Sequence, residues 1–200
     1  SIGSSSGVIT FNSAPDYETK TSYSVSVTVS DSTNTSSQSI TINVANLNDN
    51  SPVITSSSTF SAAENQTSVG TVTATDADGD NLTYSLSGTD ASSLSISSSG
   101  VITFNSAPDY ETKTSYSITV SVSDGINSVT QSITVNVTNL NDNNPVITSS
   151  STFSAAENQT SVGTVTATDA DGDSLTYSLT GTDASSLSIS SSGVITFNSA

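Results

Sequence analysis

The chain has 200 residues, with 18 acidic side chains against 2 basic ones, a net charge of −16, and neither His nor Cys. Such a charge argues against nucleic acid, anionic membranes and most phosphate ligands, and makes cations the natural partners. The missing His and Cys exclude disulfides, thiolate or imidazole metal sites, a Ser-His-Asp triad and a Cys nucleophile. Hydrophobic residues make up only 32%, yet apolar positions alternate strictly with Ser, Thr and Asn, a regularity that a disordered tract has no reason to keep. No run of eighteen apolar residues occurs and no signal peptide is visible, so membrane insertion is not expected. The first residue is Ser1 instead of Met, which reads as an excerpt of a longer chain.

In chain order, residues 1–50 read as the C-terminal half of a repeat, because Ser4 to Tyr23 is identical to Ser97 to Tyr116. Residues 51–143 form one complete repeat. Residues 144–200 are the N-terminal part of the next: 146–200 match 53–107 except at Ser174 against Asn81 and Thr180 against Ser87. The period is 93 residues, long enough for each unit to bury its own core. Within the complete unit, strands are predicted at 53–55, 59–63, 70–75 ("GTVTAT"), 82–86 ("LTYSL"), 94–96, 100–104 ("GVITF"), 116–124 ("YSITVSVSD") and 131–138 ("QSITVNVT"). Tyr116, Ile118, Val120 and Val122 share one face, as do Ile133, Val135 and Val137, with hydroxyl side chains opposite. "DADGD", "SGTD", "SSSG" and "DGIN" supply the turns, and nothing has helical spacing. The expected fold is all-β: tandem Greek-key β-sandwiches of about seven strands each, of immunoglobulin-like size without a Cys pair.

The acidic residues fall into short motifs at strand ends and loops: "AEN" (Glu64), "DAD" (Asp76, Asp78), "DYE" (Asp109, Glu111), "SDG" (Asp124) and "NDN" (Asp142). In a sandwich, Glu64, the "DYE" loop and the "NDN" linker gather at one pole, and "DAD" and "SDG" at the other. Joining two units then surrounds each linker with carboxylates from both sides, a setting suited to a hard cation such as calcium, which takes six to eight oxygens.

These motifs resemble the cadherin superfamily in its bacterial cadherin-like form, and the resemblance covers the whole chain. That family carries a D-x-N-D-N-x-P linker and acidic-Asn, D-R-E or D-Y-E, D-x-D and A-x-D-x-G motifs; here stand "NLNDNNP", "AEN", "DYE", "DAD" and "VSDG". The resemblance implies up to three calcium ions (Ca2+) at each junction. For the first junction it implies Asp16, Glu18, Asn48, Asp49, Asn50, Asp76, Asp78 and Asp124 as ligands. For the second it implies Glu64, Asp109, Glu111, Asn141, Asp142, Asn143, Asp169 and Asp171. Asn46 and Asn139 replace an Asp at the head of each linker, which makes one ligand neutral there, and Ser32 follows Asp31 where Gly125 follows Asp124, which is expected to alter that turn.

Each motif also has a plainer reading. Asp and Asn at turns serve as backbone caps, and the recurrence of five motifs favours ligands over caps. "DADGD" does not fit an EF-hand, since Gly79 is fourth instead of sixth and Ser87 stands at the twelfth position. Asp80, Asp90 and Asp183 fit no motif and read as solvated turn residues, while Tyr110 and Phe104 read as packing groups. Three functions from different classes follow: a calcium-rigidified extracellular or cell-surface spacer in an adhesin stalk or filament; a homophilic or glycan-binding adhesive module; and an enzyme. No acid–base pair is left over for catalysis. Near-identity of successive units favours the spacer, whose partners would be calcium, neighbouring repeats and, laterally, other copies.

Overall fold

The computed structural model describes residues 1–3 and 6–199. It contains strands β1 (Ser22–Ser30), β2 (Thr35–Asn43), β3 (Val53–Ile54), β4 (Thr59–Ala63), β5 (Ser68–Thr71), β6 (Ala74–Thr75), β7 (Thr83–Ser87), β8 (Leu94–Ile96) and β9 (Val101–Phe104). There follow β10 (Ser115–Ser123), β11 (Ser128–Thr138), β12 (Val146–Ile147), β13 (Ser161–Thr164), β14 (Ala167–Thr168), β15 (Leu187–Ile189) and β16 (Val194–Phe197). Two single-turn 3-10 helices, Ala91–Ser93 and Ala184–Ser186, are the only helical segments among the described residues. Neither was expected from the sequence, because a single turn is too short to show a helical period. No helix is long and apolar enough to cross a membrane.

The fold is all-β, of sandwich type. In the complete repeat one sheet has the order β4-β11-β10-β7, and the other layer consists of β5-β9-β8 and the short pair β3-β6. Alternation on β10 and β11 turns Ile118, Val120, Val122, Ile133 and Val135 inward, and with Val72, Leu94, Ile102 and Phe104 they are the buried core, all at most 4% exposed. Phe104 packs edge-on against Tyr116, with ring centroids 4.9 Å apart, in keeping with its reading as a packing group.

"GTVTAT" was expected to be one strand and is two. β5 pairs with β9 through a register shift between Ser68 and Gly70, while β6 pairs with β3, so the chain changes partners at Val72. The Val72 amide donates to the Gly100 carbonyl at 2.8 Å. Gly100 sits at φ +80°, and a Cβ there would lie 2.2 Å from the Val72 carbonyl oxygen, so this close approach of two backbones requires glycine.

The chain divides into two compact units, one of Ser1–Phe60, Ser68–Ser106 and Tyr116–Val135, the other of Ser61–Thr67, Ala107–Ser115 and Asn136–Ala200. Each unit contains one Asn-Asp-Asn linker together with the acidic motifs assigned to it.

Candidate metal centre

Around the first linker, Asp78 is the hub. Its Oδ2 accepts the amides of Asp49 (3.1 Å) and Asn50 (2.8 Å), and its Oδ1 accepts Nδ2 of Asn50 at 2.8 Å. These bonds, the Asn50 side chain foremost, hold the Asp78 carboxyl below its ordinary range against the opposing effect of desolvation, as expected when donors stabilise the charged form. Carboxylate oxygens of Glu18, Asp49 and Asp78 lie within 4.8 Å of one another. The backbone bond of Glu18 lowers its affinity for a proton, but desolvation and repulsion by Asp78 outweigh it, and the Glu18 carboxyl is raised overall.

The second linker repeats the geometry. Asp171 accepts the amides of Asp142 (3.1 Å) and Asn143 (2.8 Å) and Nδ2 of Asn143 (2.9 Å), and it too is lowered, chiefly by the Asn143 side chain. Oxygens of Glu111, Asp142 and Asp171 form one cluster within 4.8 Å, and those of Glu64, Asp109 and Glu111 another. Glu111 belongs to both. Desolvation raises its carboxyl, and the Glu64 and Asp171 charges add to the shift. Glu64 is 1% exposed; its Oε2 accepts the Tyr110 amide at 2.8 Å and its Oε1 the Leu140 amide at 2.6 Å. One buried carboxylate thereby ties the end of β4, the "DYE" loop and the linker together.

The remaining sequence-assigned residues are held more locally. Asp16 and Asp109 accept the backbone amide and hydroxyl of Thr19 and Thr112, and those threonine hydroxyls are the main cause of their lowered carboxyls. Asp124 is desolvated, which opposes ionisation, but the amides of Asn127 and Ile126 bring it below the ordinary range. Asn48 donates to the Asp124 carbonyl at 3.4 Å, whereas its counterpart Asn141 stands exposed. Asp76 Oδ1 accepts the amides of Asp78 and Asp80, and Asp169 Oδ1 accepts that of Asp173.

Asp80, expected as a solvated turn residue, is exposed, and it also has an oxygen within 4.8 Å of those of Asp76 and Asp78; Asp173 stands likewise beside Asp169 and Asp171. The tight "DADGD" turn wraps around Asp76 and draws the third carboxylate in, and Asp80 is raised by desolvation and by its acidic neighbours. Asp90 is also engaged, accepting the Ser117 amide at 2.8 Å. At the head of each linker, Nδ2 of Asn46 or Asn139 donates to the carbonyl of Asp78 or Asp171 at 2.8 Å. The Ser32 turn is unaltered: Ser32 adopts φ +82°, close to the +98° of Gly125, and Asp31 accepts the Thr33 and Asn34 amides just as Asp124 accepts those of Ile126 and Asn127.

Two residues escaped the sequence reading. Asn127 Nδ2 bonds to Asn48 Oδ1 and the Asn50 carbonyl, both at 3.1 Å, and Asn65, in the left-handed region at φ +59°, donates to Asp142. Asn65 closes "AEN", which was read for its carboxylate alone, and Asn127 closes "DGIN", which was read only as a turn.

The donor set, clustered carboxylate oxygens beside linker amide oxygens, fits a hard cation. Asp76 Oδ2 adds an independent sign, being buried without a hydrogen-bond partner, an unusual condition for a carboxylate oxygen.

Residues 58–138 match the family model described as "Cadherin domain". Among solved structures, the protocadherin gammaB7 EC3-6 cis-dimer is 29% identical with a TM-score of 0.79, over 91% of this chain and 52% of that one. The protocadherin GammaB4 extracellular domain is 26% identical with a TM-score of 0.76, over 94% of this chain and 36% of that one. Mouse cadherin-23 EC22-24 is 27% identical with a TM-score of 0.68, over 94% of this chain and 67% of that one. This chain thus spans about a third to a half of the first two. The comparison with curated proteins finds no match. The family match lies at 58–138, and the structural likeness to these cadherin and protocadherin domains extends over most of the chain.

Proposed function

We propose that this chain is a segment of tandem cadherin-like repeats, bounded at 1–50, 51–143 and 144–200, serving as a calcium-stiffened spacer in the stalk or filament of a bacterial surface adhesin. The observation that carries the reading is the recurrence of one arrangement. At both linkers an Asp of "DAD" receives two linker amides and a linker Asn side chain, and an acidic cluster forms beside it.

The residues that would hold calcium at the first linker are Asp16, Glu18, Asn48, Asp49, Asn50, Asp76, Asp78 and Asp124. At the second they are Glu64, Asp109, Glu111, Asn141, Asp142, Asn143, Asp169 and Asp171. Bound calcium supplies a centre of positive charge that accepts six to eight oxygens. The chain's own part is to bring those oxygens together. Asn50 and Asn143 hold Asp78 and Asp171 charged, and buried Glu64 fixes the "DYE" loop to the linker. Uncompensated, two carboxylates about 4 Å apart repel by roughly 1 kcal/mol even in bulk water, which favours loosening of the linker. Neutralised, the same groups restrain it. The surface, rich in Ser and Thr and free of Cys and Met, suits an oxidising extracellular setting.

Calorimetric titration of the 200-residue chain with calcium tests the assignment. Binding in the range of extracellular modules, about 10⁻⁴–10⁻³ M, is expected, and Asp142→Ala should remove the part of the heat due to the second linker. It should also reduce the calcium-dependent gain in melting temperature. No heat at millimolar calcium would defeat the ligand set.

A further inference from the structure

Asn127 closes the turn between β10 and β11, and its backbone is fixed within that turn. Its amide donates to Asp124 Oδ1 at 2.6 Å, and its carbonyl accepts the Ser123 hydroxyl at 2.8 Å and the Asp124 amide at 3.3 Å. The side chain then reaches out to the first linker. Its Nδ2 lies 3.1 Å from Asn48 Oδ1, 3.1 Å from the Asn50 carbonyl oxygen and 3.4 Å from Asp124 Oδ2. The turn at Asp31 directs Asn34 in the same way, with Nδ2 3.4 Å from Asp31 Oδ2, so the direction of this side chain is a property of the turn.

One nitrogen thus stands among three oxygens, and all three belong to residues assigned to calcium. Asp124, the charged member of the three, is only 9% exposed, so water has little access to replace the amide there. Calcium draws its oxygen ligands in to about 2.3–2.6 Å, so an ion held by these three oxygens needs the space that Nδ2 fills. The amide hydrogens also carry positive partial charge, which an ion repels. The two occupants exclude each other.

We propose that the Asn127 amide is a displaceable stand-in for the cation at the first linker. Without an ion it holds Asn48, Asn50 and Asp124 together, and it must swing out before an ion can use their oxygens. The inference rests on the calcium reading of the linker. Displacement needs only rotation about the Asn127 side-chain bonds, because the three backbone bonds within the turn are unaffected. While in place, the amide pairs acceptors that would otherwise face one another without a donor. Binding of an ion breaks those hydrogen bonds, so Asn127 weakens calcium binding at this place and couples it to a side-chain movement.

Heteronuclear NMR titration of the 200-residue chain with calcium tests the proposal. The reporter is the Ile126 amide, which donates to Asp124 Oδ1 at 2.7 Å. In the parent, the Asn127 side-chain NH2 signals should shift together with it. Asn127→Ala removes the competitor, and the calcium midpoint read at Ile126 should fall about fivefold, the net worth of one hydrogen bond. The midpoint read at the Asn143 amide, in the second linker, should stay unchanged. Asn127→Asp exchanges the donor for an acceptor of the same shape and should lower the Ile126 midpoint further. A side chain that only props the linker would act in the opposite direction, because its loss would loosen the ligands. An Ile126 midpoint that Asn127→Ala leaves unchanged or raises, or Asn127 NH2 signals that stay still while Ile126 shifts, would overturn the inference and leave the calcium reading standing. If neither Ile126 nor Asn143 responds to millimolar calcium, the calcium reading falls and this inference falls with it.

Discussion

Residues 59–87 and 152–180 are identical except at Asn81 against Ser174 and Ser87 against Thr180, yet they are not structured alike. The first stretch contains β4 and β7, hydrogen-bonded to β11 and β10; in the second, 152–156 and 175–180 form no strand, while β13 and β14 form as β5 and β6 do. The difference lies in the partners. β13 and β14 pair with β16 and β12, all inside 146–197, whereas β4 and β7 pair with strands contributed by the later half of the repeat. Alternation therefore encodes the capacity to be a strand, and a partner edge realises it. Glu64 and Glu157 show the same contrast at the site: the first is buried and accepts two amides, while its counterpart is exposed.

The largest test sets Ile118 against Val25, equivalent positions in β10 and β1. Ile118→Ala removes a fully buried side chain and should destabilise the complete repeat by about 3 kcal/mol, whereas Val25→Ala should cost under about 1 kcal/mol. Urea unfolding followed by circular dichroism measures both, and equal effects would break the comparison.

Next in size is the pair of glutamates. Glu64→Ala leaves the Tyr110 and Leu140 amides without their carboxylate and should cost about 2 kcal/mol, while Glu157→Ala should fall within about 0.5 kcal/mol. Hydrogen exchange at those two amides should speed up only in the Glu64 variant.

These contrasts mark how far the sequence was legible. Period-two alternation located the long strands β10 and β11 and their buried faces, and the spacing of "AEN", "DYE", "NDN" and "DAD" identified groups that the fold gathers at each linker. The break of "GTVTAT" at Val72 was not legible, because it depends on a backbone contact with Gly100, distant in sequence. Nor were the donor roles of Asn46, Asn65, Asn127 and Asn139, since an amide side chain offers both donor and acceptor and only its neighbours decide which is used. Asp80 was missed because its nearness to Asp76 comes from the curl of a turn, which carries no periodic signal.

A smaller effect sharpens the comparison of the two SD-x-x-N turns. Ser32 holds a left-handed conformation that Gly125 adopts freely, so Ser32→Gly should stabilise the β1–β2 hairpin by about 1 kcal/mol, visible as slower amide exchange across β1 and β2. The smallest expected effect is that of Asp31, whose carboxyl is lowered first by the Asn34 amide and then by that of Thr33. Its folded pKa lies below the unfolded one, so its contribution is present above the ordinary carboxylate range and is lost as pH falls through the lowered value. Protection of the Thr33 and Asn34 amides should therefore weaken on acidification, and Asp31→Asn should abolish that dependence.

The central claim, that the linker carboxylates stiffen the chain when calcium neutralises them, is tested most directly by small-angle X-ray scattering on three or more complete repeats. It should be measured with millimolar calcium and again with chelator, at a dilution where the mass is that of a single chain. The account predicts a larger maximum dimension with calcium, and a loss of that increase when Asp142 and its equivalents are replaced by Ala. A maximum dimension unchanged by calcium would contradict it and leave the ion, if bound, only as a stabiliser of individual repeats.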